Sequence, residues 1–185
     1  MRVKGTAIAV LPTFIEQRFG SAGLTQWMNA LSSDARHVYN GMIMTSEWYP
    51  IKESYLEPTA LMCELFFKGD SRGARELGRY SADDSLRGVY KAFAKMHSIK
   101  QFCDRAVSIL HTYYDPCQAK VVLVEDNRAV LQISLFPLPS EYAEQRMAGW
   151  IERALEIHGK KNVTAQITQS LARGDACTEF LGTWE

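Results

Sequence analysis

Up to about Tyr113 the apolar side chains recur at intervals of three and four residues, and beyond Asp115 the interval falls to two. The first part therefore predicts helices and the second predicts strands. Pro12 suits the first turn of a helix carrying Phe14, Ile15 and Phe19, which Gly20 closes. Ser21 caps a second helix with Leu24, Trp27, Met28 and Leu31 on one face, and Ser33-Asp34 opens a third that reaches Tyr39 and stops at Asn40-Gly41. Met42 to Tyr49 is apolar and extended in character. Because Pro50 biases Tyr49 away from the helical region, a helix is expected from about Pro50 to Lys68. Asp70 or Ser71 caps the next helix, expected to continue to about Met96, and Ser98 caps another that Asp115-Pro116 ends.

Lys120–Val124 and Ala129–Phe136 flank the turn Glu125-Asp126-Asn127-Arg128. Leu131, Ile133 and Leu135 alternate there with Gln132 and Ser134, the pattern of a hairpin with one buried face. Ser140 opens a helix with Met147, Trp150, Ile151, Ala154 and Leu155 inward, closed by Gly159 and Lys160-Lys161. A second hairpin follows, Val163, Ala165 and Ile167 leading through Leu171–Gly174 to Cys177–Trp184. The expected fold is α+β: one domain over 1–185, with a helical layer (1–114) packed on a four-stranded antiparallel sheet of ββαββ order (115–185).

The helix after Asp70 has an unusual face. Ala74, Gly78, Ser81, Ala82, Ser85, Gly88 and Ala92 recur near helical spacing, and each glycine costs about 1 kcal/mol relative to alanine. Either a neighbouring backbone or a ligand comes close there, and close helix packing is the simpler expectation. Lys plus Arg (21) equals Asp plus Glu (21), so no bulk field recruits nucleic acid or an anionic surface. No apolar run is long enough to span a bilayer, and Met1-Arg2-Val3-Lys4-Gly5 does not begin a secretory signal, which implies a cytoplasmic protein. Cys63, Cys103, Cys117 and Cys177 form no CxxC pair and read as reduced thiols, with Cys177 buried in its strand and Cys117 partly exposed.

Several segments together resemble a known group. Val3-Lys4-Gly5, Phe19-Gly20, Ser46-Glu47-Trp48-Tyr49-Pro50, Glu76-Leu77-Gly78-Arg79, Leu86-Arg87-Gly88-Val89-Tyr90, Tyr113-Tyr114-Asp115 and the stretch Cys177 to Phe180 are similar to a myxobacterial paralogous family of uncharacterised proteins. That family resembles in layout the 4-vinyl-reductase small-molecule-binding domain, the haem-based nitric-oxide and oxygen sensor domains, and the TRAPP vesicle-transport subunits. One departure is that two residues separate Cys177 from Phe180, where the 4-vinyl-reductase type usually has one.

The resemblance implies helices packed on an antiparallel sheet, with a ligand pocket or a filled interaction core between them. Trp48, Tyr49, Tyr80, Tyr90, Phe93 and Cys177 are the candidate ligand-binding residues, with ordinary core as the alternative. The haem sensors of this layout carry iron on a helix histidine, and His97 is the residue placed for it. Their Tyr-x-Ser-x-Arg propionate clamp, however, has no match here. The four histidines, His37, His97, His111 and His158, show no metal-ligand spacing. Asp83-Asp84 is expected to be solvated. Arg72, Arg75, Arg79 and Arg87 are expected to form a surface face, with Glu76 and Asp83 four residues on from Arg72 and Arg79. No GxSxG, HExxH, P-loop or dinucleotide fingerprint is present. The expectation is a non-enzymatic sensory domain without cofactor, homodimeric, binding an apolar small molecule in a pocket between helices and sheet. The alternatives are an interaction module with a filled core and, more remotely, a haem-based gas sensor.

Overall fold

The computed structural model describes residues 1–87 and 98–185, with the Arg87 side chain excluded. These residues form seven strands and seven α-helices. Strand β1 (Arg2–Lys4) and the short α1 (Gly5–Ile8) lead into α2 (Val10–Ala30), α3 (Ser33–Asn40) and β2 (Trp48–Pro50). Helices α4 (Glu57–Phe67), α5 (Arg72–Arg87) and α6 (Ile99–Tyr113) follow, then β3 (Tyr114–Asp115). The chain ends in β4 (Gln118–Val124), β5 (Arg128–Leu135), α7 (Glu141–Ile157), β6 (Thr164–Gln169) and β7 (Thr178–Thr183).

Two features of the helical part follow from single residues. Gly20 sits inside α2 at φ 73, ψ 177, a conformation almost confined to glycine, so α2 is two helices joined end to end where Gly20 was expected to stop the first. Before α4 the chain makes a π-helical turn over Lys52–Leu56. Pro58 has no N–H to offer the Ser54 carbonyl four residues back. The Tyr39 hydroxyl donates to that carbonyl instead (2.7 Å). Pro50 ends β2 and the helical run extends over 51–67, within a residue of the expected span, whereas of the extended stretch expected over Met42–Tyr49 only its end forms a strand. Ser32 and Ser98 cap α3 and α6 by accepting from Ala35 N and Gln101 N.

The main sheet runs β4-β5-β7-β6 and is antiparallel throughout, with Leu131 opposite Phe180 and Ala165 opposite Gly182. On β7 the buried residues Thr178, Phe180 and Gly182 alternate with Glu179, Leu181 and Thr183, so one face carries the helices. The other face is polar in its middle, where Glu179 accepts from Gln132 and Thr168. A second sheet, β2-β1-β3, joins the N-terminal strand to the residues that end α6. It was not expected, because strands of two or three residues are too short to show a period. The buried residues form three clusters: Val3, Ile8, Tyr55, Ile133, Met147 and Phe180 tie the two sheets together. Trp27, Met62 and Leu77 hold α2 to α4 and α5, and Leu86, Phe102, Ala106 and Leu155 join the far ends of α5, α6 and α7. No helix among the described residues is long and apolar enough to cross a membrane.

Candidate functional site

The small-residue face of α5 meets two different surroundings. A Cβ at Gly78 would fall on the Arg146 carbonyl of α7, and one at Gly149 of α7 would fall on the Arg75 carbonyl of α5. The two helices thus touch backbone to backbone. Gly78 and, over the next two turns, Ser81, Asp84 and Ser85 line a cavity of about 70 Å³.

The cavity walls come from every layer of the fold. Helix α6 contributes Ala106, Ile109, Leu110 and Tyr113, and α7 contributes Arg146, Met147, Trp150 and Ile151. Leu131 and Phe180 form the sheet side, while Thr6, Ala7, Val10, Tyr55 and Tyr114 close the inner end. A further space of about 40 Å³ lies beyond the shared wall of Ala106, Leu131, Trp150, Ile151 and Phe180.

Few polar groups interrupt this apolar surface. Trp150 Nε1 donates to Ser85 Oγ (3.3 Å), and Ser81 Oγ donates back to Leu77 O (2.8 Å), so both serines are satisfied within the walls. The Tyr55 and Tyr114 hydroxyls are hydrogen-bonded to each other at 3.0 Å, and burial, followed by the neighbouring Tyr55, pushes the Tyr114 phenol well above its ordinary pKa. Arg146 is 4% exposed. It donates to Thr59 Oγ1 (3.3 Å) and to Ala7 O, with its guanidinium carbon 4.3 Å from the centre of the Tyr55 ring.

Four of the six expected ligand residues stand elsewhere. Trp48 and Tyr49 lie on β2: the Trp48 ring sits under Arg2 and Lys4 (5.3 and 4.2 Å), and the Tyr49 hydroxyl accepts from Met44 N. Tyr80 points away from the cavity onto Phe14 (5.4 Å between ring centres), because it is one residue, about 100° of helix, from the lining Ser81. Cys177 precedes β7, is half-buried, and its thiol donates to Gln169 Oε1 (3.6 Å). Burial and the charges of Glu179 and Asp175 raise its pKa. It was expected to be deeply buried, yet Cys63 and Cys103 are the sealed thiols. Tyr90 and Phe93 lie outside the described residues, as do Gly88 and His97.

The charge pattern of α5 is also corrected. Arg75 pairs with Glu152 (2.6 Å), Arg79 with Glu152 and Glu156 (3.3 and 2.8 Å), and Arg153 with Asp83 (2.9 Å). Arg75 and Arg79 therefore bridge to α7, and Asp83 is engaged rather than solvated. Arg72 pairs with Asp70, while Glu76 faces Arg18. Asp84 is exposed, as expected.

Arg146 was missed. Its signal was present: it stands three residues after the inward Ala143 and four before Trp150, a cation in an apolar position of α7.

Among the described residues no group of histidine, cysteine and carboxylate side chains could hold a metal. His37 is exposed, His111 accepts from Ala119 N (3.1 Å), and His158 stacks on Phe102 (4.5 Å).

No family model matches the chain, and no curated protein does. The fold, in contrast, is shared with H-NOX structures. One is an H-NOX protein from S. oneidensis in the Fe(II)NO ligation state (TM-score 0.76, 10% identity, 98% of this chain and 99% of that one covered). Another is the Fe(II) unliganded H-NOX protein from K. algicida (TM-score 0.72, 8% identity, 98% and 96% covered). A third is a Cs H-NOX mutant carrying the unnatural amino acid 4-cyano-L-phenylalanine (TM-score 0.72, 13% identity, 98% and 96% covered). The chain therefore has the mixed helix and antiparallel-sheet fold of H-NOX domains.

Proposed function

We propose that this chain is a non-enzymatic, small-molecule-binding sensory domain that uses an H-NOX-like fold without haem. The observation that carries the reading is the apolar cavity between α5, α6, α7 and the sheet, where a filled core would have left none. Its volume is about half that of a cavity of ~150 Å³ that takes benzene, which sets the ligand at a few non-hydrogen atoms.

The similar structures are described by Fe(II) and nitric-oxide ligation states, so haem has to be tested against the residues present. They do not fit it. Among the described residues the cavity offers no imidazole and no thiolate, and of its three tyrosines Tyr114 is held protonated, where an iron ligand would need to be ionised, while the Tyr55 oxygen is taken up by the Tyr114 hydroxyl. About 70 Å³ is far less than a porphyrin occupies. The sequence also lacks the Tyr-x-Ser-x-Arg clamp, and His97, the one histidine placed for iron, lies outside the described residues.

The homodimer and the cytoplasmic location belong to the same reading. Met42 and Met44, both exposed in the loop before β2, supply apolar surface for such an assembly.

Native mass spectrometry of the protein from its own host tests this reading together with ¹²⁹Xe NMR of the purified chain. Saturable xenon uptake and a retained mass far below that of haem are expected. A stoichiometric Soret band that is lost in His97→Ala would replace this reading with gas sensing through iron. A protein that takes up no xenon would favour the interaction module with a filled core.

A further inference from the structure

Arg146 is a buried cation without an anion. No carboxylate among the described residues pairs with it, and the stretch 88–97 contains no Asp or Glu that could. Its only hydrogen-bond partners among the described residues are the Thr59 hydroxyl and the Ala7 carbonyl, which engage Nη1 and Nη2 and leave Nε with none. Every sealed side-chain nitrogen and oxygen among the described residues has a partner. Nε therefore borders open space, and Arg146 lines the cavity. The remaining neighbours give the charge little: the Tyr55 ring supplies its quadrupole, and Tyr39 and Tyr114 are phenols that burial keeps neutral. The one carboxylate among the described residues of the cavity wall, Asp84, is exposed and forms no ion pair with Arg146. A guanidinium withdrawn from water in this way is costly unless an anion meets it.

We infer that the ligand of this cavity is a small monocarboxylate, its oxygens on the free donors of Arg146 and its hydrocarbon end among Met147, Ile109, Ile151 and Phe180. This rests on the cavity reading above and adds the chemical class. A guanidinium presents five N–H bonds in a planar fork suited to two carboxylate oxygens, and two are already used. Most of the lining beyond Arg146 is apolar, which favours an anion with a hydrocarbon end over an inorganic oxyanion. The volume sets the size at about three to five non-hydrogen atoms, the range of acetate and propionate.

Calorimetric titration of the wild-type protein with sodium propionate, propionamide and sodium nitrate, beside the xenon measurement, tests this. Propionate should bind saturably and about 30-fold more tightly than propionamide, its neutral isostere, because charge-assisted bonds to the guanidinium are lost in the amide. Arg146→Met should bring the two to equal affinity while xenon uptake persists. Xenon uptake with equal binding of propionate and propionamide would overturn the anion site and leave the apolar cavity standing. Nitrate binding as tight as propionate would overturn the carboxylate assignment. Absence of both xenon and propionate binding would remove the cavity reading and this inference together. Should Arg146→Met fail to fold, the comparison within the wild-type protein still decides.

Discussion

Gly78 and Gly149 stand in a reciprocal contact, each lying where a side chain would strike the backbone of the helix that carries the other. The struck carbonyls belong to Arg146 and Arg75, so the closest approach of α5 and α7 also fixes the position of the cavity cation. Gly78→Ala and Gly149→Ala should each destabilise the protein by about 1–3 kcal/mol, read as a lower urea midpoint, since backbone cannot yield as a flexible side chain would. The control is Gly41→Ala, whose added carbon would meet Val38 O at an ordinary 3.7 Å. Helix propensity alone would raise the midpoint of the two helical variants, so an unchanged or higher midpoint in Gly78→Ala and Gly149→Ala would show that the crossing does not set the effect.

The cavity predicts opposite responses to enlarging two alanines. Ala106 lines both spaces, whereas Ala148 is fully buried on α7 and lines neither. Ala106→Leu should abolish xenon uptake and change stability by less than about 1 kcal/mol. Ala148→Leu should cost about 1–3 kcal/mol through overpacking. Chemical denaturation of both variants with xenon NMR separates them, and a large loss in Ala106→Leu would show the walls to be rigidly packed.

The thiols should react in an order opposite to one based on strand position. Cys117 and Cys177 are half-buried, while Cys63 and Cys103 are buried. In native protein, a thiol reagent should modify Cys177 and Cys117 first and reach Cys63 and Cys103 only through local opening. Burial pushes the Cys63 thiol up to about 12 and those of Cys103 and Cys117 to about 11, so exposure rather than acidity sets Cys117 apart from Cys103. Peptide mapping after a short labelling pulse gives the order, and early modification of Cys63 would contradict it.

The same groups set a limit at alkaline pH. The folded protein holds Cys63 protonated up to about 12, and burial likewise raises Tyr39 and Tyr114. In the unfolded chain a thiol ionises near 8.5 and a phenol near 10. Because the folded pKa values are the higher ones, this contribution is complete below about pH 8.5 and is lost as pH rises toward the folded values. The urea midpoint should fall between about pH 9 and 12, and Cys63→Ala should lose less of its stability over that interval than the wild type.

Much of the architecture was legible in the chain and little of the site was. Helix caps at Ser98, the break at Gly20 and the two hairpins follow from local rules that tertiary contacts did not override. The three-stranded sheet was hidden because β1, β2 and β3 are too short for a period to register. Tyr80 stands off the cavity for a geometric reason: Tyr80 and Ser81 are neighbours in sequence, and only Ser81 is on the side of α5 that lines it. Small side chains line this cavity on α5 because space is what they leave. Backbone and ligand stood as alternatives for that face, and it meets both: Gly78 touches the α7 backbone, and Gly78, Ser81 and Ser85 line the cavity over two turns. Arg146 broke the apolar pattern of α7, a discord that marks a site more dependably than aromatic content does.

Trp150 forms part of the cavity wall while its indole nitrogen is tied to Ser85 across the helix pair. Of the chain's four tryptophans, Trp27 is sealed against Pro58, Trp48 lies beneath two cations, and Trp184 is anchored to the Asp126 carbonyl at the sheet's end. The chain thus carries its own optical gauge, since a molecule entering between α5 and α7 changes the surroundings of one emitter and leaves the other three as an internal standard.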